Sequence, residues 1–168
     1  RCPTSSGAIR AEVDNGWIYG TKPVNDGQWH HVAVVLDSDG TPDISEVRLY
    51  VDGVRDMIGG VQPCPIDTGD SHDVGIGLLV SQQQPFGGLL DDVRVYDIAL
   101  DDLAVSALHS SIDKYMTTEP TDPMRDEPVA HWALDETAGT NVSDSLGRHP
   151  GKLTNNDGSG AWVDGIVG

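Results

Sequence analysis

The sequence predicts an all-β fold, an antiparallel β-sandwich carrying one short helix. Three observations point there. Apolar and polar residues alternate in short runs, as they do along strands with one buried face. Between the runs stand turn dipeptides, Asn15-Gly16, Asp26-Gly27 and Asp52-Gly53. The 168 residues hold 20 Gly, 10 Pro and 38% apolar residues, which suits many turns around one real core.

The elements follow in order. Ile9, Ala11 and Val13 share one face of a first strand, with Arg10 and Glu12 on the other. Asn15-Gly16 turns it into Trp17-Ile18-Tyr19 as a hairpin. Trp29–Leu36 reads as a long strand buried on both faces, with Trp29 in the core. Glu46–Val51 is the next strand, with Val47, Leu49 and Val51 on one face and Arg48 and Tyr50 on the other. Asp52-Gly53 turns it back into Val54-Arg55. Residues 58–71 read as a Gly/Pro-rich loop holding Cys64; Val74–Val80 and Leu89–Tyr96 read as strands. Leu100, Leu103, Ala104, Ala107 and Leu108 then fall at helical spacing behind a capping Asp101, for about two turns. Residues 114–128 carry three prolines, many charges and no period, so they read as a linker. His131–Leu134 opens another strand, and the remainder is Gly/Asn/Asp-rich loop broken by Ala161-Trp162-Val163.

The formal net charge is −17. A field of that sign repels phosphate backbones and argues against nucleic acid as a partner. It also attracts divalent cations, though only a local cluster would hold one; plain surface solvation of a secreted protein is the favoured reading. No run reaches the roughly 18 apolar residues of a membrane span. Cys2 and Cys64 are the two cysteines. They are expected to form a disulfide if the parent protein is exported.

Three segments carry a family resemblance. Gly27, Trp29, His30, His31, Val32 and Ala33 match a Gly-x-Trp-His-His-Val-Ala strand; Leu49–Gly53 match a Leu-Tyr-Val-Asp-Gly hairpin. Gly88, Leu90, Asp91, Asp92, Val93, Arg94, Val95 and Tyr96, followed by Ala99 and Leu100, match a closing strand and helix. In that order they resemble the second half of a laminin-G-like jelly roll of the concanavalin A-like lectin/glucanase type. Trp132, Leu134, Glu136, Gly139, Asp144, Gly147 and Gly151 resemble the first half of the same module. The resemblance implies residues 8–112 as a C-terminal half, 113–128 as linker and 129–168 as an N-terminal half. The second piece is expected to pack into the same sandwich, within one chain or by strand exchange in a dimer.

Alternation along Leu89–Tyr96 places Asp91 on the valine face, where a lone carboxylate needs hydrogen bonds, an arginine or a cation. The resemblance implies a structural calcium ion near the meeting of first and last strands. Its expected ligands are Asp91 with Asp92, Glu136 or Asp144 and backbone carbonyls, since calcium takes about six to eight oxygens. His30 and His31 are neighbours on a strand and point to opposite faces, so they read as structural rather than as a metal pair. His72, His109, His131 and His149 show no metal spacing. Asn141-Val142-Ser143 fits an N-glycosylation sequon.

No Glu-x-Asp-x-x-Glu motif supplies the paired carboxylates of a glycosidase, and Asp91-Asp92 are adjacent and diverge. Gly-x-Ser-x-Gly is absent too. No catalytic residue is assigned. Trp17 and Tyr19 share one strand face and are the best candidates for a ligand platform, against a packing role. The expected function is a non-catalytic module binding glycan or extracellular protein, secreted or at the cell surface, in a larger multi-domain protein. A part of a glycoside hydrolase and a structural spacer are the alternatives.

Overall fold

A computed structural model describes residues 7–13, 15–37, 39–67, 74–77, 86–111, 127–153 and 162. Among these the strands form antiparallel sheets and there is a single α-helix. The strands are β1 (Ala8–Val13), β2 (Gly16–Pro23), β3 (Val32–Val35), β4 (Arg48–Val51), β5 (Val54–Arg55), β6 (Ile58–Gln62), β7 (Val93–Val95), β8 (Ala130–Trp132), β9 (Asn141–Val142) and β10 (Gly151–Lys152). The helix α1 spans Asp102–Ser111. The chain divides into two compact units that interleave in sequence. One holds Arg1–Gly69 with Ile98–Pro123, the other Asp70–Asp97 with Met124–Gly168.

In the first unit β1, β2 and β6 make one sheet, and β3, β4 and β5 make another. Ile18 from the first sheet meets Ile44, Val47 and Leu49 in a buried cluster, with Ile9, Ala11 and Val13 against it. The alternation read in β1 therefore holds. Val13 pairs directly with Gly16, so Gly16 is the first residue of β2 and not a turn residue as Asn15-Gly16 implied. Gly16 is needed for space: a Cβ there would collide with Cys64 and crowd Ile44. Asp52 and Gly53 do take the left-handed φ of 54° and 72° that a type I′ turn requires.

Val47, Leu49 and Val51 are buried as expected, and so is Tyr50 on the opposite face. There its hydroxyl donates to Asp102 of α1 over 2.6 Å. Burial and that carboxylate raise the Tyr50 pKa. Asp101 caps α1 by accepting from the Ala104 N–H at 2.8 Å. The buried helical residues are Ala104 and Val105, while Leu103 stays 77% exposed.

Two strand readings and one loop reading need correction here. The long strand at Trp29–Leu36 reduces to β3, which is an edge strand; Val32 and Val34 are 49% and 55% exposed and only Val35 is fully buried. Trp29 is 41% exposed and is not core. The stretch from 58 is not all loop, because β6 closes the first sheet, and its Gly59 and Gly60 leave room for the Tyr19 ring. Val74–Gly77 are not strand, and 78–80 lie outside the described residues. The linker at 113–128 lies outside them too, apart from Glu127 and Pro128.

In the second unit β7 pairs with β8, through Val93↔Trp132, Arg94↔His131 and Val95↔Ala130. This joins a residue stretch before the linker to one after it. Ala130, Trp132 and Val142 form the buried cluster, with Val93, Leu134, Leu153 and Trp162 packed on it. β9 and β10 form a two-stranded ribbon beside it.

Candidate functional site

Two places carry chemistry. The first is the outer face of the β1–β2–β6 sheet. Because Ile18 points into the core, its neighbours Trp17 and Tyr19 point out, half-buried. Their rings stack with centroids 5.4 Å apart and planes 25° from parallel. Tyr19 lies against Gly59 and Gly60, where any Cβ would strike the ring. The guanidinium of Arg10 sits 5.4 Å from the Trp17 ring centroid and pairs with Glu12 at 3.0 Å. The sequence reading named Trp17 and Tyr19 but not Arg10, Glu12 or the two glycines. Hairpin register carries the signal for the first two, since Arg10 pairs with Tyr19 and Glu12 with Trp17. A pair of half-buried aromatic rings on a sheet face, beside one cation and one anion, can offer apolar surface to a ligand and bond its polar rim.

The second place is the carboxylate neighbourhood of β7 and β8. Asp92 has a left-handed φ of 52°, which breaks the strand before β7. The alternation that set Asp91 on the valine face therefore does not run through Asp92. Asp91 is half-buried. Asp92 binds Arg94 through two contacts of 3.0 and 2.8 Å, and His131 Nε2 lies 2.6 Å from its Oδ1. Asp144 is buried and accepts four backbone N–H groups, from His131, Leu146, Arg148 and His149, at 2.8 to 3.1 Å. The His131 N–H is the chief cause holding its pKa far below the usual carboxylate range; burial opposes this, and the other three N–H groups add to it. Glu136 Oε1 accepts from the Ser143 N–H at 2.7 Å, whereas its Oε2 is buried with no hydrogen-bond partner among the described residues.

Asp92 contacts the His131 ring and Asp144 its backbone N–H, and Glu136 holds the residue before Asp144. The oxygens of Asp92 and Asp144 face N–H donors and a guanidinium. No group of three His, Cys, Asp or Glu gathers into a metal-binding cluster among the described residues. Arg94 and His131, the partners of Asp92, were not singled out beforehand; opposite charge two residues along the chain was the available sign. Cys64 is half-buried against the Ile18–Ile44 cluster, and Cys2 lies outside the described residues. Asn141 and Ser143 of the sequon are exposed on either side of buried Val142.

No helix among the described residues is long and apolar enough to cross a membrane. Comparison with known proteins bears on the fold. A calpain-type cysteine protease of Zea mays is 34% identical over 65 residues, 39% of this chain but 3% of that protein. The chain thus spans a small fraction of that relative, and the protease title belongs to that protein. No solved structure matches the chain. The sequence profile of the concanavalin A-like lectin/glucanases superfamily, in its laminin-G form, matches residues 3–106. With its antiparallel sheets and single described helix, the chain belongs to the laminin-G-like family of that superfamily.

Proposed function

We propose that this chain is a non-catalytic binding module that recognises a glycan, exported as part of a larger protein. Laminin-G-like domains are generally non-catalytic, bind glycans or proteins and are typically extracellular. The observation that carries the glycan reading is the stacked Trp17–Tyr19 pair on the outer face of the β1–β2–β6 sheet. Aromatic rings meet the C–H face of a sugar ring, and Arg10 and Glu12 offer hydrogen bonds to its hydroxyls.

The test is a glycan array followed by titration calorimetry. Trp17→Ala should reduce affinity for any glycan hit at least tenfold while far-UV circular dichroism stays unchanged. Binding that survives Trp17→Ala and Tyr19→Ala would place recognition elsewhere. Array silence together with capture of a protein ligand would favour the protein-binding alternative.

A structural calcium ion held by Asp91 with Asp92, Glu136 or Asp144 is a separate proposal, supported by the buried Oε2 of Glu136, which has no hydrogen-bond partner among the described residues. It requires Asp92 or Asp144 to exchange present donors for the ion. Chelation that lowers the melting temperature, reversed by calcium better than by magnesium, supports it. A melting temperature indifferent to both removes it.

A further inference from the structure

His30 stands where three segments of the first unit converge. Its ring is 13% exposed. Nε2 lies 3.1 Å from Asp26 Oδ1, in the loop before β3, and Nδ1 lies 3.1 Å from Asp52 Oδ2, in the β4–β5 turn. Asp52 also takes the Lys22 ammonium of β2 at 2.6 Å and the His31 N–H at 3.2 Å. Lys22 thus reaches Asp52 and not the imidazole. Both ring nitrogens face carboxylate oxygens, and a neutral imidazole has a single N–H to give. Only the imidazolium donates to both.

We propose that His30 is a proton-operated latch on the loop of Asp26–Trp29. In the protonated state the ring ties Asp26 to Asp52 and so holds the loop against the β4–β5 turn. When the proton leaves, the remaining N–H stays with Asp52, which Lys22 and the His31 N–H keep in place. The bare Nε2 lone pair then faces Asp26 Oδ1, and that contact opens. Asp26 also accepts from the Gln28 N–H at 2.9 Å, so the release frees the segment that carries the exposed Trp29.

The sign follows from the charges. Hydrogen bonds from Asp26 first, then Asp52, raise the His30 pKa above its ordinary 6.5. Stability from the latch is fully present below pH 6.5 and is lost as pH rises through the folded-state pKa.

The experiment uses the whole chain. The His30 imidazole is titrated by NMR, and amide protection at residues 25–29 is measured at pH 5.5, 7 and 9. His30 should titrate above 6.5, and protection at Gly27 and Gln28 should fall at least fivefold across its titration. Asp26→Asn should bring the pKa down and remove the pH dependence of that protection, with the Asp52 contact intact. His30→Gln should lower the melting temperature at pH 5.5 more than at pH 9. A His30 pKa at or below 6.5, or equal loop protection on both sides of its titration in the wild-type chain, overturns the latch. Because the Asp26→Asn and wild-type comparisons need no glycan, they fail or succeed independently of the binding reading.

Discussion

Asp144 shows how one side chain can organise a loop. Its two oxygens collect the N–H groups of His131, Leu146, Arg148 and His149, so the strand β8 and the turn at 145–149 are fixed to the same carboxylate. Asp144→Ala leaves those donors to find water or stay unpaired, and the melting temperature should drop clearly at pH 7. Asp144→Asn, which keeps an acceptor but no charge, should fall between. The pH dependence has a defined sign. The depressed pKa means that the contribution of Asp144 is present above the ordinary 3.8 and fades as pH falls below it. Wild type should therefore lose more stability on acidification from pH 5 to pH 2 than Asp144→Ala does, measured by scanning calorimetry. A carboxylate in a Gly-rich loop is compatible with a cation or with converging N–H groups, because both supply positive charge to the same oxygens. Sequence names the carboxylate; only the turn geometry chooses its partner.

At the scale of elements, α1 tests how far local signals reach. Asp101 was legible as a cap because its side-chain oxygen serves an N–H three residues on, a purely local relation. Asp101→Ala should cost about 0.5–2 kcal/mol in denaturant unfolding. Leu103→Ala should lie within about 0.5 kcal/mol, because Leu103 stays 77% exposed although it fits the apolar period. The same limit explains β6. Gly59 and Gly60 read as loop because glycine is unfavourable in a strand interior, yet the Tyr19 ring occupies the space their side chains would need. It explains β3 as well. An apolar run is consistent with burial on both faces, but Val32 and Val34 lie on the edge strand of their sheet and stay open. Alternation, caps and the Asp52-Gly53 turn were readable because they depend on neighbours along the chain. Gly16, Trp29 and the contact of Asp92 with His131 were not, since each depends on residues distant in sequence.

At the scale of the whole molecule, the order of the segments makes a claim that the pairing of β7 with β8 sharpens. Val93 belongs to the stretch that resembles the end of a module, and its partner Trp132 to the stretch that resembles a beginning. The second unit draws its cluster from both sides of the linker: Val93 before it, and Ala130, Trp132 and Val142 after it. Removing residues 129–168 takes away the buried members of that cluster and leaves β7 without its ladder, with Asp92 and Arg94 deprived of His131. Ile18, Ile44, Val47 and Leu49 of the first unit keep their mutual contacts in such a chain. A 1–112 chain is therefore expected to retain β-rich circular dichroism but to melt at a lower temperature and with a smaller enthalpy than the full chain. The loss in enthalpy reports the structure that the second stretch supplies, and the fall in temperature tests whether the two stretches depend on each other. Adding a separate 127–168 peptide should restore part of both, because the β7 edge it pairs with is exposed in the truncated chain. A truncated chain with the full-length melting temperature and no response to the peptide would mean that the two stretches fold without each other.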